Sequence, residues 1–264
     1  MYSRKSWNLL PTVLAAGTAM LYLAGNAYSA PRPGVLATRT RADSGSSATV
    51  AAPREADVHA SLALDVLASR VRQLSHPDAL RDAFRSYFTF AAGHPDAVRK
   101  PFLYFVDYGL SSTTPRGYVF DMSALTIVDG PFMVAEGRGS AASARGIPTR
   151  FSNSFGAATT SLGLYVAQEL YNFTGHAGGA AYHSIGLRLA GVSGGFNSNA
   201  RARGVVAHGA PYVTATRAGR SEGCPAMDPV RARTLLPKLA SGGLVFLFAP
   251  DSNWMAHDPW LSAD

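Results

Sequence analysis

Cys224 stands between Gly223 and Pro225 in the stretch GRSEGCPAM, and it is the only cysteine among 264 residues. Sixteen positions earlier, His208 closes the apolar run of VVAHGAPY. A lone cysteine cannot form an intramolecular disulfide, which leaves two readings: a small buried hydrophobe or a nucleophile. The second makes specific demands. A free thiol has a pKa of about 8.5 and is mostly protonated at neutral pH, so it needs a base. His208, leaving a strand into a Gly-containing turn, can take that proton, and the ion pair so formed would hold the thiolate. Gly223 lets the backbone approach closely, and Pro225 fixes the dihedral beyond the sulfur. Such a turn can aim the N–H groups of Gly223 and Cys224 at a developing oxyanion. The alternative for His208 is a satisfied core histidine, and spacing alone leaves both readings open.

Other chemistry-bearing residues are less directive. His176, His183 and His208 show no zinc-ligand spacing on one element and there is no second cysteine, so neither a metal nor another cofactor is expected. GFNSNARAR carries Asn197, Asn199, Arg201 and Arg203 just before the strand of His208. It reads either as a solvated loop or as a set of donors suited to carboxylates. GHAGGA reads as a flexible loop.

The elements that must position the thiol and the imidazole follow from periodicity. FLYFVDY, GYVFDM, PFMVAEG, SLGLYVAQ, SIGLRLAG, RGVVAHG and LVFLFAP are short β-branched or aromatic runs separated by Gly, Pro, Ser and Asn. One helix is expected among them, opening at Asp228 as N-cap with Pro229 at its first position and ending near Gly242, with Pro237 kinking or shortening it. Upstream, Val58, Leu62, Val66 and Val71 fall near helical spacing, with Leu64, Leu67 and Leu74 widening the stripe. A second helix is expected in HPDALRDAFRSYFTFAA, with Pro77 in its first turn, Leu80, Phe84, Tyr87 and Phe88 on one face, and Gly93 at its end. The fold class is α+β and strand-dominated, with a small N-terminal helical segment.

The first 30 residues read as a signal peptide or an uncleaved signal anchor: Arg4 and Lys5, then an apolar run broken by Pro11, then small residues with a cut expected after Ala27. With no cysteine after that run, a lipoprotein anchor is excluded. Residues 31–55, rich in Pro, Ser, Thr, Ala and Gly, read as a flexible linker. Residues 56–98 form a helical pre-domain and 99–264 the main domain. The formal net charge of +7 is scattered, with no basic run interleaved with aromatics. A nucleic-acid partner is not expected, and an anionic envelope polymer fits this diffuse charge. Export would place Cys224 in an oxidising compartment, where an exposed thiol is a liability unless it has a task.

VVAHGAPYV followed by GRSEGCPAM resembles the signature of the L,D-transpeptidase (YkuD-like) catalytic domain. LYFVDYGLSSTTPRGYVFDM, AEGRGSA, TRFSNSFGAATTSLGLYV and GFNSNARARGVVAHGAPYV are similar, in order, to successive blocks of the murein L,D-transpeptidase branch. The resemblance spans roughly residues 100–250. It implies Cys224 as nucleophile, His208 as general base and the Gly209 carbonyl as the group that orients the imidazole. It implies the Gly223 and Cys224 amides as oxyanion donors, with Ser221 and Arg220 supporting the turn. Asn197, Arg201, Arg203 and Tyr212 become candidate contacts to the substrate.

The activity so implied is that of an exported, periplasmic cell-envelope enzyme acting on peptidoglycan stem peptides through a thioester. The acceptor would be another stem peptide or an envelope protein. A carboxypeptidase of the same fold and a non-catalytic peptidoglycan-binding scaffold are the alternatives, and the membrane is a partner only through an uncleaved N-terminal segment. The sequence departs from the family at Glu222 and Glu136, where histidine is common, and at Ala226, often Asn or Arg. Glu222 is expected to face solvent or to pair with Arg220, because an inward acid would raise the thiol's pKa.

Overall fold

The apolar run Leu244–Phe248, every side chain of it buried, is the strand around which the molecule is built. In the computed structural model, which describes residues 46–261, the elements are α1 (Ser46–Leu67), α2 (Ala79–Gly93), β1 (Phe102–Asp107), β2 (Gly117–Asp121), β3 (Thr126–Phe132), β4 (Glu136–Gly137), β5 (Gly163–Ala177), β6 (Ala180–Gly191), β7 (Val206–Gly209), β8 (Arg220–Ser221), β9 (Ala226–Met227), α3 (Pro229–Leu239), β10 (Leu244–Phe248) and α4 (Ser252–His257). The signal segment and most of the linker read from the sequence lie outside the described residues. Helix α1, however, opens inside the stretch whose composition reads as linker.

Eight strands form one mixed sheet in the order β3-β2-β1-β10-β5-β6-β7-β9, and β4 pairs with β8 apart from it. β10 runs parallel to β1 and antiparallel to β5, with Phe246 opposite Phe105 on one side and Leu164 on the other. A strand covered on both faces needs no polar alternation, which is why LVFLF is continuous.

Successive side chains alternate between faces, and the helices divide accordingly. On one face Phe84 of α2 meets Phe120 of β2 edge-on at 5.2 Å. On the other, Phe132 stacks on Tyr104 at 5.9 Å, and Arg231 of α3 lies 4.6 Å above the Phe132 ring. Buried residues of α1, α2, α3 and the sheet belong to one apolar cluster. Full burial of a side chain such as Phe84 contributes about 1.5–3 kcal/mol.

Helix α3 starts as its sequence dictates: Asp228 accepts from the Arg231 amide at 2.9 Å, and Pro229 follows. It runs through Pro237 to Leu239. Helix α2 opens at Ala79 with Asp78 as N-cap, so Pro77 precedes the helix instead of lying in its first turn. The face of α1 differs more. Val58, Leu62 and Val66 are 66%, 52% and 42% exposed, whereas Ala56, Ala60, Ala63 and Leu67 are buried. Alanines allow α1 to lie close against α2, so the small residues rather than the β-branched stripe define the packed face.

Two further elements go beyond the sequence reading. Asp251 caps α4 by accepting from Trp254 N–H at 2.9 Å, and the buried Trp254 indole donates to Asp258 at 2.7 Å. GHAGGA is the tip of a long β5–β6 hairpin. Gly178 and Gly179, with φ of 58° and 83°, make the two-residue reversal that demands positive φ at both positions. PFMVAEG divides, its first half ending β3 and its last two residues forming β4.

Candidate active site

His208 comes from β7, which lies between β6 and β9. It is opposite Gly186 in the antiparallel pairing and opposite Ala226 in the parallel one. Its ring is buried, and Nδ1 lies 3.1 Å from the Gly209 carbonyl oxygen. A carbonyl only accepts, so the hydrogen is assigned to Nδ1 and the lone pair to Nε2. Burial lowers the imidazole pKa from its ordinary value and the Gly209 bond opposes the change, so the ring is neutral at neutral pH.

Cys224 sits in a turn tied by Ser221. The Ser221 hydroxyl accepts from Gly223 N–H at 3.1 Å and lies 2.7 Å from the Cys224 carbonyl and 3.2 Å from that of Glu136. Only glycine fits at 223: φ is 128°, and a Cβ would stand 2.7 Å from the Thr159 carbonyl oxygen. The thiol is half-buried, with Sγ 4.0 Å from the Gly204 carbonyl. Burial pushes its pKa up, Glu222 adds to that, and the Val206 amide and Arg203 oppose it.

The sheet brings base and nucleophile to one edge. His208 N–H donates to the Pro225 carbonyl at 3.3 Å, and Ala210 N–H to that of Met227 at 2.9 Å. Continued back two residues, the β7–β9 register sets Cys224 opposite Val206, whose amide interacts with the sulfur. Val206 and His208 share a face of β7. Among the described residues no hydrogen bond joins the sulfur to the His208 ring. Burial thus favours the neutral form of both groups, which opposes the ion pair expected from the sequence. Of the two amides expected to serve as oxyanion donors, that of Gly223 is engaged by Ser221, and that of Cys224 has no acceptor among the described residues.

Aromatic rings wall the other side. Phe173, on the β5 arm of the hairpin, meets the His208 ring edge-on at 5.4 Å, and Tyr212 does so at 6.5 Å. Burial raises the Tyr182 and Tyr212 phenols, with the charge of a Cys224 thiolate adding to it. On the thiol's open side a cleft of about 360 Å³ is lined by Phe155, Ala158, Arg203, Gly204, Glu222 and Cys224.

A family model described as the L,D-transpeptidase catalytic domain matches residues 72–248. The chain belongs to that family. Solved L,D-transpeptidases resemble it more distantly. One from Mycobacterium smegmatis is 13% identical, with 56% of this chain covering 59% of that one at a TM-score of 0.35. One from Stackebrandtia nassauensis is 15% identical over 64% of this chain and 66% of that one, with a TM-score of 0.34. The chain thus spans less than two thirds of the length of these structures. No curated protein matches the sequence.

Within this L,D-transpeptidase domain several residues read as substrate contacts are occupied by the fold. Asn197 is buried, accepting from Ser193 N–H at 2.8 Å and donating to the Leu164 carbonyl at 2.9 Å. Arg201 pairs with Glu169 at the surface. Arg203 donates to the carbonyls of Ser152, Ala157 and Thr159 at 2.7–3.1 Å, clamping the loop that borders Cys224. Of the four, Tyr212 faces the His208 ring, and Arg203 borders the cleft beside Cys224. Glu222 does face solvent, but its partner is Arg138 at 2.7 Å. Arg220 instead reaches the Arg138 carbonyl at 3.4 Å. Glu136 is fully buried against Arg116.

The sequence reading missed Phe173 and Tyr182 of this wall. The signal was present, since LYNFTGHAGGAAYH alternates aromatic and polar residues about a Gly-Gly pair. Among the described residues no cluster of His, Cys, Asp and Glu could hold a metal ion, and no helix is long and apolar enough to cross a membrane.

Proposed function

We propose that this chain is an exported, cysteine-dependent L,D-transpeptidase that acts on peptidoglycan stem peptides in the cell envelope. The observation that carries this reading is the commitment of the His208 Nδ1 hydrogen to Gly209 beside the strand edge that presents Cys224. Nε2 is then the ring nitrogen able to take a proton.

Because burial favours the neutral forms of both groups, proton transfer accompanies attack instead of preceding it. The thiol proton passes to Nε2 as sulfur bonds to the carbonyl carbon of the third stem residue. The carbonyl electron pair moves onto oxygen, where the Cys224 amide is the donor left to receive it. Collapse breaks the amide bond, and the amine of the fourth, D-configured residue leaves with the proton from His208. An acceptor amine, from another stem or from an envelope protein, then attacks the thioester and gives its proton to His208. The new amide forms and the thiol is restored. Water in the same role yields the free acid, the outcome of a carboxypeptidase.

The aromatic wall of Phe173, Tyr182 and Tyr212 keeps bulk water from the imidazole, which favours the amine over hydrolysis. The test is incubation with purified disaccharide-tetrapeptides, read by mass spectrometry. The expected products are a cross-linked dimer and the released D-amino acid, with a thioester adduct on Cys224. Free acid alone reassigns the enzyme as a hydrolase. Unchanged substrate with an unmodified thiol overturns the reading in favour of a binding scaffold.

A further inference from the structure

Beneath the nucleophile turn lies a buried charge pair that the acyl-transfer steps do not use. Arg116 and Glu136 are both fully buried and form an ion pair. The Arg116 fork also donates through Nε and Nη2 to the Val134 carbonyl at 3.1 and 2.9 Å, and through Nη1 to that of Leu110 at 2.7 Å. Tyr108, whose ring lies 4.8 Å from the guanidinium, donates its hydroxyl hydrogen to the Ala135 carbonyl at 3.0 Å. One side of the 134–138 backbone is therefore fixed from the core by three side chains.

The other side of the same backbone carries the catalytic turn. Ala135 N–H donates to the Ala226 carbonyl at 2.8 Å, two residues after Cys224, and Arg138 N–H to the Ser221 carbonyl at 2.8 Å, three residues before it. Glu136 and Gly137 pair in register with Arg220 and Ser221. The Glu136 carbonyl faces the Ser221 hydroxyl that holds Gly223 and the Cys224 carbonyl. The turn is thus pinned at both ends to a segment that Arg116 holds at Val134 and Glu136.

A buried ion pair is a poor means of adding stability, since desolvation offsets most of the attraction. One carboxylate oxygen of Glu136 is buried without a hydrogen-bond partner, a further cost. What the pair does supply is geometry: a planar fork sets three acceptors at fixed angles, which lysine cannot reproduce. We propose that Arg116 and Glu136 are positioning residues, holding the 134–138 backbone so that the Cys224 amide points at the developing oxyanion.

The proposal rests on Cys224 being an acyl-accepting nucleophile, and its test separates the two claims without a natural substrate. p-Nitrophenyl acetate acylates the thiol: sulfur bonds to the acetyl carbon, the thiol proton goes to His208, and p-nitrophenolate leaves through an oxyanion. Iodoacetamide alkylates the same sulfur by displacing iodide, with no oxyanion. Both rates are measured on the full chain for wild type, Glu136→Gln and Arg116→Lys, with circular dichroism recorded for each. The expected result is a fall in acylation of about tenfold or more, alkylation staying within about threefold, since a mis-aimed oxyanion donor costs only the step that needs it.

Tyr108→Phe removes a single bond to the same backbone and keeps the test open if a charge variant does not fold; it is expected to lower acylation alone by about threefold. Acylation unchanged in the folded variants, or both rates moving together with the melting temperature, overturns the positioning role. A wild-type thiol that is alkylated but never acylated overturns the nucleophile reading, and the positioning role with it.

Discussion

The amide of His208 donates to the carbonyl of Pro225, the residue that follows Cys224, at 3.3 Å. Nucleophile and base are therefore related by backbone pairing rather than by a contact between their side chains. Substituting either side chain leaves that pairing in place, so single variants report on chemistry more than on fold.

Cys224→Ser and Cys224→Ala are expected to keep the wild-type circular dichroism spectrum and to lose nearly all muropeptide turnover. A serine hydroxyl is far harder to deprotonate than a thiol, and the site is placed for a sulfur. Neither variant should show a thioester by intact mass. Substantial turnover by Cys224→Ala would sink the nucleophile assignment.

The lowered pKa of His208 has a signed consequence for stability. The unfolded chain binds a proton near the ordinary value of 6.5 and the folded chain only below it. The contribution from keeping this ring neutral is therefore complete above about pH 6.5 and shrinks as pH falls further. Asp82, whose pKa burial and then Asp78 push up to about 6, acts with the opposite sign. Comparison with His208→Gln isolates the histidine: the variant should lose less of its melting temperature between about pH 7.5 and 5 than wild type does. Parallel curves would contradict this account.

Gly223→Ala forces a Cβ against the Thr159 carbonyl at a φ few other residues adopt. Backbone strain of this kind costs about 1–3 kcal/mol. Because the turn can relieve it by moving Cys224, turnover should fall at least about a hundredfold while the chain stays folded. Thermal melts beside muropeptide assays decide the point.

Arg203 and Arg201 should part company. Arg203→Met leaves three carbonyls unmet around the 152–159 loop and should destabilise the fold by about 2 kcal/mol. Arg201→Met breaks an exposed pair with Glu169 and should cost less than about 0.5 kcal/mol. Chemical denaturation measures both. Equal small effects would return Arg203 to the role of a substrate contact.

The chemistry was more legible in the sequence than its surroundings. Gly-Cys-Pro and the strand-ending histidine carry their meaning locally, as does the Asp-Pro opening of α3. The packed face of α1 was not legible because its alanines bury little surface each, and their value lies in how near α2 they let the helix come. The structural partners of Asn197 and Arg203 were hidden for a related reason. The two side chains look available in sequence, yet Leu164 and the 152–159 carbonyls that claim them lie some thirty to fifty positions away along the chain. Glu136 gave no hint of burial, because its partner Arg116 is twenty positions distant.

Among the described residues strand β10 is the last of ten along the chain, yet it sits between β1 and β5 in the middle of the sheet. Until Leu244–Phe248 leave the ribosome, β1 and β5 each present an open row of amides and carbonyls, a template for pairing with other chains. The part of the main sheet bearing His208 then shares no strand pairing with the part bearing Tyr104 and Phe105. A nascent chain that already contains His208 and Cys224 therefore still has its main sheet in two parts, and β10 is the keystone between them.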